Sequence, residues 1–251
     1  MTIVPASTYD DERLATLMTA SYAGYFVPVV VDATSLRGMV DAWDIDLDRS
    51  FVALGDDGEP VGIVLLAVRG DRGWVGGLGV LPEARRGGIG RALMERVLAA
   101  APPHVTLEVI EQNTPALELY EQLGFVRSRV LELWALDGEV PAAEAREAEP
   151  APLGQPDAPW QRADASLPAE YVRLEVDGGA IVFRIGGPLV SILQLQADGE
   201  EEARALICAA AQRGETLRYI NLPDDEPASA ALAGLGGRLE LRQFELVRYA
   251  H

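Results

Sequence analysis

Between an apolar run and a helical pattern the chain packs two arginines and three glycines into six positions, Arg85-Arg86-Gly87-Gly88-Ile89-Gly90, inside the stretch VLPEARRGGIGRAL. A turn can be made with one glycine, and a helix can start with none. A helix N-terminus leaves main-chain N–H groups unpaired and carries about half a positive charge, which attracts an anion. Glycines let the backbone approach that anion and take up positive φ. Arginines add charge and forked donors for phosphate oxygens. Strand, arginine- and glycine-rich turn, then helix is therefore a cradle for a diphosphate. The lysine–serine/threonine pair of a nucleotide-triphosphate loop is absent, and the spacing is not that of a dinucleotide fold. What remains is Arg85-x-x-Gly88-x-Gly90.

Such a cradle must sit between regular elements, and periodicity supplies them. Residues 10–25 read as a helix with Leu14, Leu17, Met18 and Tyr22 on one face, and 35–43 as a shorter one. Residues 50–54 and 61–68 read as strands joined by Gly55-Asp-Asp-Gly58, and 73–80 as a third strand leading into the cradle and a helix to about residue 101. Residues 105–110 read as a strand, 114–123 as a helix and 126–135 as a strand. This interleaving predicts an α/β (α+β) class, with a mixed, mostly antiparallel sheet flanked by helices.

At Arg85-x-x-Gly88-x-Gly90 the chain resembles the GNAT superfamily of acetyl-CoA-dependent N-acetyltransferases, whose diphosphate motif is Gln/Arg-x-x-Gly-x-Gly/Ala after an apolar strand. The segment LEVIEQNTPALELYEQLGF, residues 107–125, resembles the family's next block: a strand, an asparagine, a helix carrying tyrosine, then Gly-Phe. The resemblance covers roughly residues 1–137. It implies that main-chain groups of Leu78, Gly79 and Val80 bond the pantetheine arm like an added strand. It also implies that Arg85, Arg86, Gly87, Gly88, Ile89, Gly90 and Arg91 hold the diphosphate. Asn113 would contact the pantetheine or cap the helix. Tyr120 sits where the family often has a general acid for the leaving thiolate, or it packs on the sheet. Phenol and thiol have reference pKa values of about 10 and 8.5, so such a transfer is chemically reasonable.

The third strand, WVGGLGV, carries no carboxylate, although the family often places a glutamate there. Glu108 on the next strand is the nearest candidate base, directly or through water, with Glu111 behind it. Gly76 and Gly77 would open space beside the thioester. The acceptor pocket would come from residues 22–28, with Tyr25 and Phe26 as candidates, Tyr22 assigned rather to the core, and Trp43 and Trp74 to packing. The reading is transfer of acetyl from acetyl-CoA, as cosubstrate, to a primary amine of a small molecule or peptide. The alternative is a CoA-binding regulatory or interaction module whose acceptor chemistry has decayed.

Residues 138–167 are dominated by proline, alanine and acidic side chains and read as an extended linker. A second block, residues 168–251, repeats the element pattern. Sliding residues 78–133 by 112 positions puts Pro115 on Pro227 and Leu123-Gly124 on Leu235-Gly236, but Arg85–Gly90 on Ala197-Asp-Gly-Glu-Glu-Glu202 and Tyr120 on Leu232. Three carboxylates at a helix start would occupy the charge niche of a diphosphate. At about 5 Å and an effective dielectric of about 20, each would repel a phosphate by around 3 kcal/mol. The expected organisation is a tandem: 1–137 catalytic, 138–167 linker, 168–251 a degenerate, non-catalytic GNAT-like lobe.

The 251 residues carry a formal net charge of −18. That balance argues against nucleic acid or an anionic membrane surface as partner, because both need a clustered cationic footprint. All 21 basic residues are arginine, which leaves no lysine to form a Schiff base. The one cysteine, Cys208, lies in an apolar helical pattern, and no His/Cys cluster has metal spacing, so no metal is expected. With no apolar run of membrane-spanning length and no signal-like start, the chain reads as cytoplasmic. A homodimer is the family-level expectation for assembly.

Overall fold

The computed structural model describes residues 1–250. Contacts divide the chain into two compact units: Met1–Ser128 with the C-terminal segment from Glu245 onward, and Arg129–Phe244. The division falls inside the strand expected at 126–135 rather than at residue 137. The C-terminal residues belong with the first unit, a partition no linear boundary expresses.

The first unit contains β1 (Thr2–Pro5), α1 (Asp11–Ser21), α2 (Ala33–Trp43), β2 (Phe51–Leu54), β3 (Pro60–Arg69), β4 (Arg72–Val80), α3 (Ile89–Leu98), β5 (His104–Ile110) and α4 (Thr114–Gln122). Asp10 accepts from the Arg13 N–H at 2.8 Å and Asp32 from the Ser35 N–H at 2.7 Å, each satisfying an orphan donor of the first turn. The strand order is β1-β2-β3-β4-β5, antiparallel except for the parallel β4–β5 pair, which α3 connects. Helices cover both faces. Gly62 on β3 lies against Ile89 and Leu93 of α3, and Gly79, on the opposite face, lies against Ser21 of α1. A Cβ at Gly79 would come within 2.7 Å of the Ser21 Cβ, so only glycine lets α1 settle this close to β4. The last residues of β12 (Arg238–Tyr249) run beside β5. Tyr249 stacks on His104 with ring centroids 4.6 Å apart, and the Ala250 N–H donates to Pro103 O at 2.7 Å.

The second unit holds most of β6 (Val126–Asp137), then β7 (Arg146–Ala148), β8 (Val172–Val176), β9 (Gly179–Gly186), β10 (Leu189–Ala197), α5 (Glu200–Ala211), β11 (Thr216–Pro223), α6 (Pro227–Gly234) and the start of β12. Its order, β12-β6-β11-β10-β9-β8-β7, is again antiparallel except for one pair, β10–β11. α5 packs Leu206, Ile207 and Ala210 on a core of Phe183, Ile192, Leu217 and Tyr219.

The segment expected to be an extended linker is structured. Residues 146–148 form β7, and two 3₁₀ turns, Trp160–Arg162 and Asp164–Ser166, bury Trp160, Arg162 and Ser166 in the second unit. Composition alone could not show this, because the burying surface belongs to strands distant in sequence.

Candidate functional site

The site begins as a fault in the first unit's sheet. β4 and β5 share only four parallel pairs, from Arg72–His104 to Val75–Leu107, although both strands continue. At the same point the β3–β4 register slips: Leu66 faces Val75 and Leu65 faces Gly77, leaving Gly76 as a bulge. A bulge sharpens local twist and re-aims the strand, so residues 76–80 of β4 part from residues 108–110 of β5. The opened edge of β4 offers main-chain groups to an extended arm. One of them, the Leu78 N–H, is held by the Tyr22 hydroxyl.

β4 leads into residues 81–88, which deliver the chain to α3. Arg86 has φ 66° and Gly88, the N-cap of α3, has φ 79°. Two positive-φ residues so close together curl the main chain into a nest of N–H groups. Among the described residues no carbonyl or side chain accepts from the main-chain N–H groups of Arg86, Gly87, Gly88, Ile89, Gly90 or Arg91. Their side chains divide the work differently from the sequence expectation. The Arg85 guanidinium bonds the carbonyls of Val80, Ser21 and Ala23 at 2.9–3.0 Å, tying the loop to the C-terminal end of α1. Arg91 reaches Gln122 and Glu95. Arg86 is exposed, and among the described residues it has no hydrogen-bond or ion-pair partner.

α4 borders the cleft. Asn113 caps it, accepting weakly from the Ala116 N–H at 3.4 Å, and is also hydrogen-bonded to the Tyr25 hydroxyl. Of the two roles considered from sequence, the cap is the one the side chain fills here. Tyr120, on the buried face of α4, is 7% exposed. Burial, then the neighbouring Tyr22 and Tyr25 phenols, pushes its pKa well above the ordinary phenol value. Tyr22 is pushed up mainly by burial, and so is Tyr25, against the opposing Asn113 bond. Tyr22, Tyr25 and Tyr120 form one phenol cluster, with Tyr25 edge-on to Tyr22 at 5.1 Å and Phe26 edge-on to Tyr25 at 5.3 Å. Phe26 is 53% exposed and ends this ladder in solvent. Tyr22, which the sequence assigned to the core, has its hydroxyl against Gly77 and the Leu78 N–H, where β4 and β5 part.

Glu108 is half-buried and accepts the Trp74 indole N–H at 2.6 Å, whereas Glu111 is exposed. Gly76 and Gly77 do not leave open space. The Trp74 ring covers Gly76, and the Tyr22 hydroxyl and Met18 cover Gly77. The sequence signal for the bulge was present: a glycine pair inside a strand marks a kink or a close approach.

The second unit repeats the fault and fills it. β10 and β11 also share four parallel pairs, Leu189–Thr216 to Ile192–Tyr219, and the β9–β10 register slips between Ile192 and Gln194. β5 therefore matches β11 at the 112-residue offset, but β4 matches β10 at 117. The ungapped slide is corrected accordingly. Residues 81–88 have shrunk to Asp198 and Gly199, and Glu200, Glu201 and Glu202 occupy the first turn of α5. Gln194, at the place of Gly77, is fully buried, donates to Arg162 O and Asp164 Oδ1, and accepts from the Leu153 N–H. Arg162, 2% exposed, bonds Asn221 O at 2.9 Å and also reaches the Tyr219 hydroxyl and Glu226. The chain's own residues 153–166 thus occupy the second cleft, with a cavity of about 290 Å³ left beside Gln155, Leu195 and Glu226.

Residues 15–125 match the model of the acetyltransferase (GNAT) family. A peptidyl-lysine N-acetyltransferase of Salmonella typhimurium is 41% identical over 75 residues, which is 30% of this chain and 48% of that protein. The chain thus spans about half the length of that relative. A GCN5-related N-acetyltransferase from Sphaerobacter thermophilus superposes with a TM-score of 0.73 at 18% identity, over 99% of this chain and 95% of that one. A tandem GNAT protein from the clavulanic acid biosynthesis pathway superposes with a TM-score of 0.67 at 18% identity, over 100% of this chain and 98% of that one. The fold is that of the family: a mixed α/β, mostly antiparallel sheet flanked by helices, like that of a tandem protein.

Proposed function

Residues 15–125 being a domain of the acetyltransferase (GNAT) family, we propose that the first unit transfers acetyl from acetyl-CoA to a primary amine of a small molecule or peptide by direct attack, and that the second unit is non-catalytic. The observation that carries this reading is the run of main-chain N–H groups from Arg86 to Arg91 without protein acceptors, at the end of a strand whose edge has just been opened. The residues fit the cosubstrate. The nest and the α3 N-terminus suit a diphosphate, and the edge of Leu78, Gly79 and Val80 suits an amide-bearing arm. Acetyl-CoA supplies a thioester carbon that an amine nitrogen attacks.

The amine approaches past Tyr25 and Phe26. Glu108 takes the nitrogen's proton as the C–N bond forms, and the C–S bond breaks as Tyr120 gives its hydroxyl proton to sulfur. Burial keeps Tyr120 neutral at physiological pH, so it stands ready as a donor. The same dry surroundings raise the basicity of the departing thiolate, which offsets the weakened acidity of the phenol.

The experiment is release of free thiol from acetyl-CoA across a panel of amines, with product mass. Amine-dependent release with acetylated product is expected. Release at one rate whatever amine is present counts against the reading.

A further inference from the structure

We propose that Trp74 is a positioning residue for the proton acceptor: its indole N–H fixes the Glu108 carboxylate where β4 and β5 part, and the glycine at position 76 leaves the room that the indole takes. The inference rests on the reading of Glu108 as the base.

Trp74 is 1% exposed, and its Nε1–H donates to Glu108 Oε2 at 2.6 Å. It pairs across the parallel ladder with Thr106, two residues before Glu108, so both side chains leave the sheet on one face. One pair further along, the strands part. The bond therefore spans the last closed rung of the cleft, where an amine must arrive.

The ring is held on both sides. Below it lies Gly76: a Cβ there would approach Trp74 Cη2 to 2.9 Å, so the indole takes the volume that any side chain would need. Beside it lies Trp43, edge-on at 5.6 Å and 86°. A donor on a ring fixed in this way cannot follow the carboxylate; the carboxylate must come to it. One oxygen is then tied, and the other is held in a defined direction. A base prepositioned in this manner spares the ordering that reaction would otherwise demand.

The test compares wild type, Trp74→Phe and Glu108→Gln for kcat and KM against pH, using acetyl-CoA and a weakly basic amine. The Trp74 indole ¹H–¹⁵N resonance is followed over the same pH range in wild type. Glu108→Gln is expected to lose about a hundredfold or more in kcat. Trp74→Phe keeps a ring over Gly76 without the donor. It is expected to lose about tenfold in kcat at unchanged KM for acetyl-CoA, with the low-pH limb moving up by about half a unit. The wild-type indole resonance should titrate with that limb and stop doing so in Glu108→Gln. An inactive Glu108→Gln beside a Trp74→Phe of wild-type kcat and pH profile overturns the positioning role alone. A fully active Glu108→Gln overturns the base itself. If Trp74→Phe does not fold, the wild-type titration decides, and an indole resonance indifferent to the limb refutes the proposal.

Discussion

The Tyr22 hydroxyl accepts the Leu78 main-chain N–H where β4 parts from β5, and in the second unit the Tyr219 hydroxyl does the same for the Leu195 N–H. Leu78 and Leu195 are equivalent by the strand registers. In both units a phenol answers the same orphaned donor, Tyr22 reaching it from the end of α1 and Tyr219 from within β11. An opened strand edge must find partners for its main-chain groups, and a tyrosine reaching over a glycine or an open rung provides one.

In the first unit that donor is one an extended ligand arm would use, so Tyr22 competes with the arm. Tyr22→Phe is expected to bind CoA about fivefold tighter, the worth of one hydrogen bond of about 1 kcal/mol. Isothermal titration checks it; weaker binding by the variant would show that the hydroxyl helps to hold the ligand instead.

Tyr120→Phe removes only the hydroxyl from a buried ring. The expected result is a loss in kcat of about 10²-fold or more, with CoA affinity and melting temperature near wild type. Stopped-time assays of thiol release measure the first, and an unchanged kcat would leave Tyr120 as packing.

Gly88 has φ 79° and open space where a Cβ would go, so alanine there suffers from backbone strain and not from a clash. Gly88→Ala is expected to cost about 1 kcal/mol of stability and to weaken CoA binding, because relaxing φ turns the loop amides away from a common centre. Thermal melts and titration on the same samples separate the two effects.

The second cleft is filled by residues 153–166, lacks the long loop and meets any phosphate with Glu200, Glu201 and Glu202. CoA should therefore bind once per chain. Calorimetric stoichiometry near two would contradict this, and Glu201→Gln should leave the binding isotherm unchanged.

Glu132 is 1% exposed beneath Arg242, Ser229 and Trp134. Burial alone would push its carboxyl up, but the bonds from Ser229, Trp134 and Arg242, with the Arg242 charge, outweigh burial and hold it below the ordinary value. A depressed folded pKa adds stability that is present above the unfolded value, about 4.3. That stability drains away as pH falls through the folded pKa. Glu132→Gln should melt lower than wild type at pH 7, and the gap should narrow below about pH 4; a gap independent of pH would contradict it.

The order of helices and strands from residue 10 to residue 137 was legible because each element carries its own period and punctuation, such as Asp10 before α1 and Gly88 and Asn113 at the turns into α3 and α4, whereas the short β1 was not read. The glycine-rich loop into α3 was legible for the same reason, since its glycines are local requirements. The tie from Arg85 to the carbonyls of Ser21 and Ala23, more than sixty residues away, was not legible because nothing local encodes it. Trp74 read as a packing residue, and it is one, 1% exposed. What periodicity did not show is the bulge at Gly76, which brings Trp74, Gly77 and Gly79 onto one face.

The sequence by itself determined where the chain turns, which segments are amphipathic and where the glycine-rich loop leads into α3, because those properties reside in neighbouring residues. The tertiary structure alone decided where the strands stop pairing, that residues 153–166 are buried and that the chain's end belongs with its first unit. Such outcomes depend on which distant surfaces meet, and neither local periodicity nor composition encodes that choice.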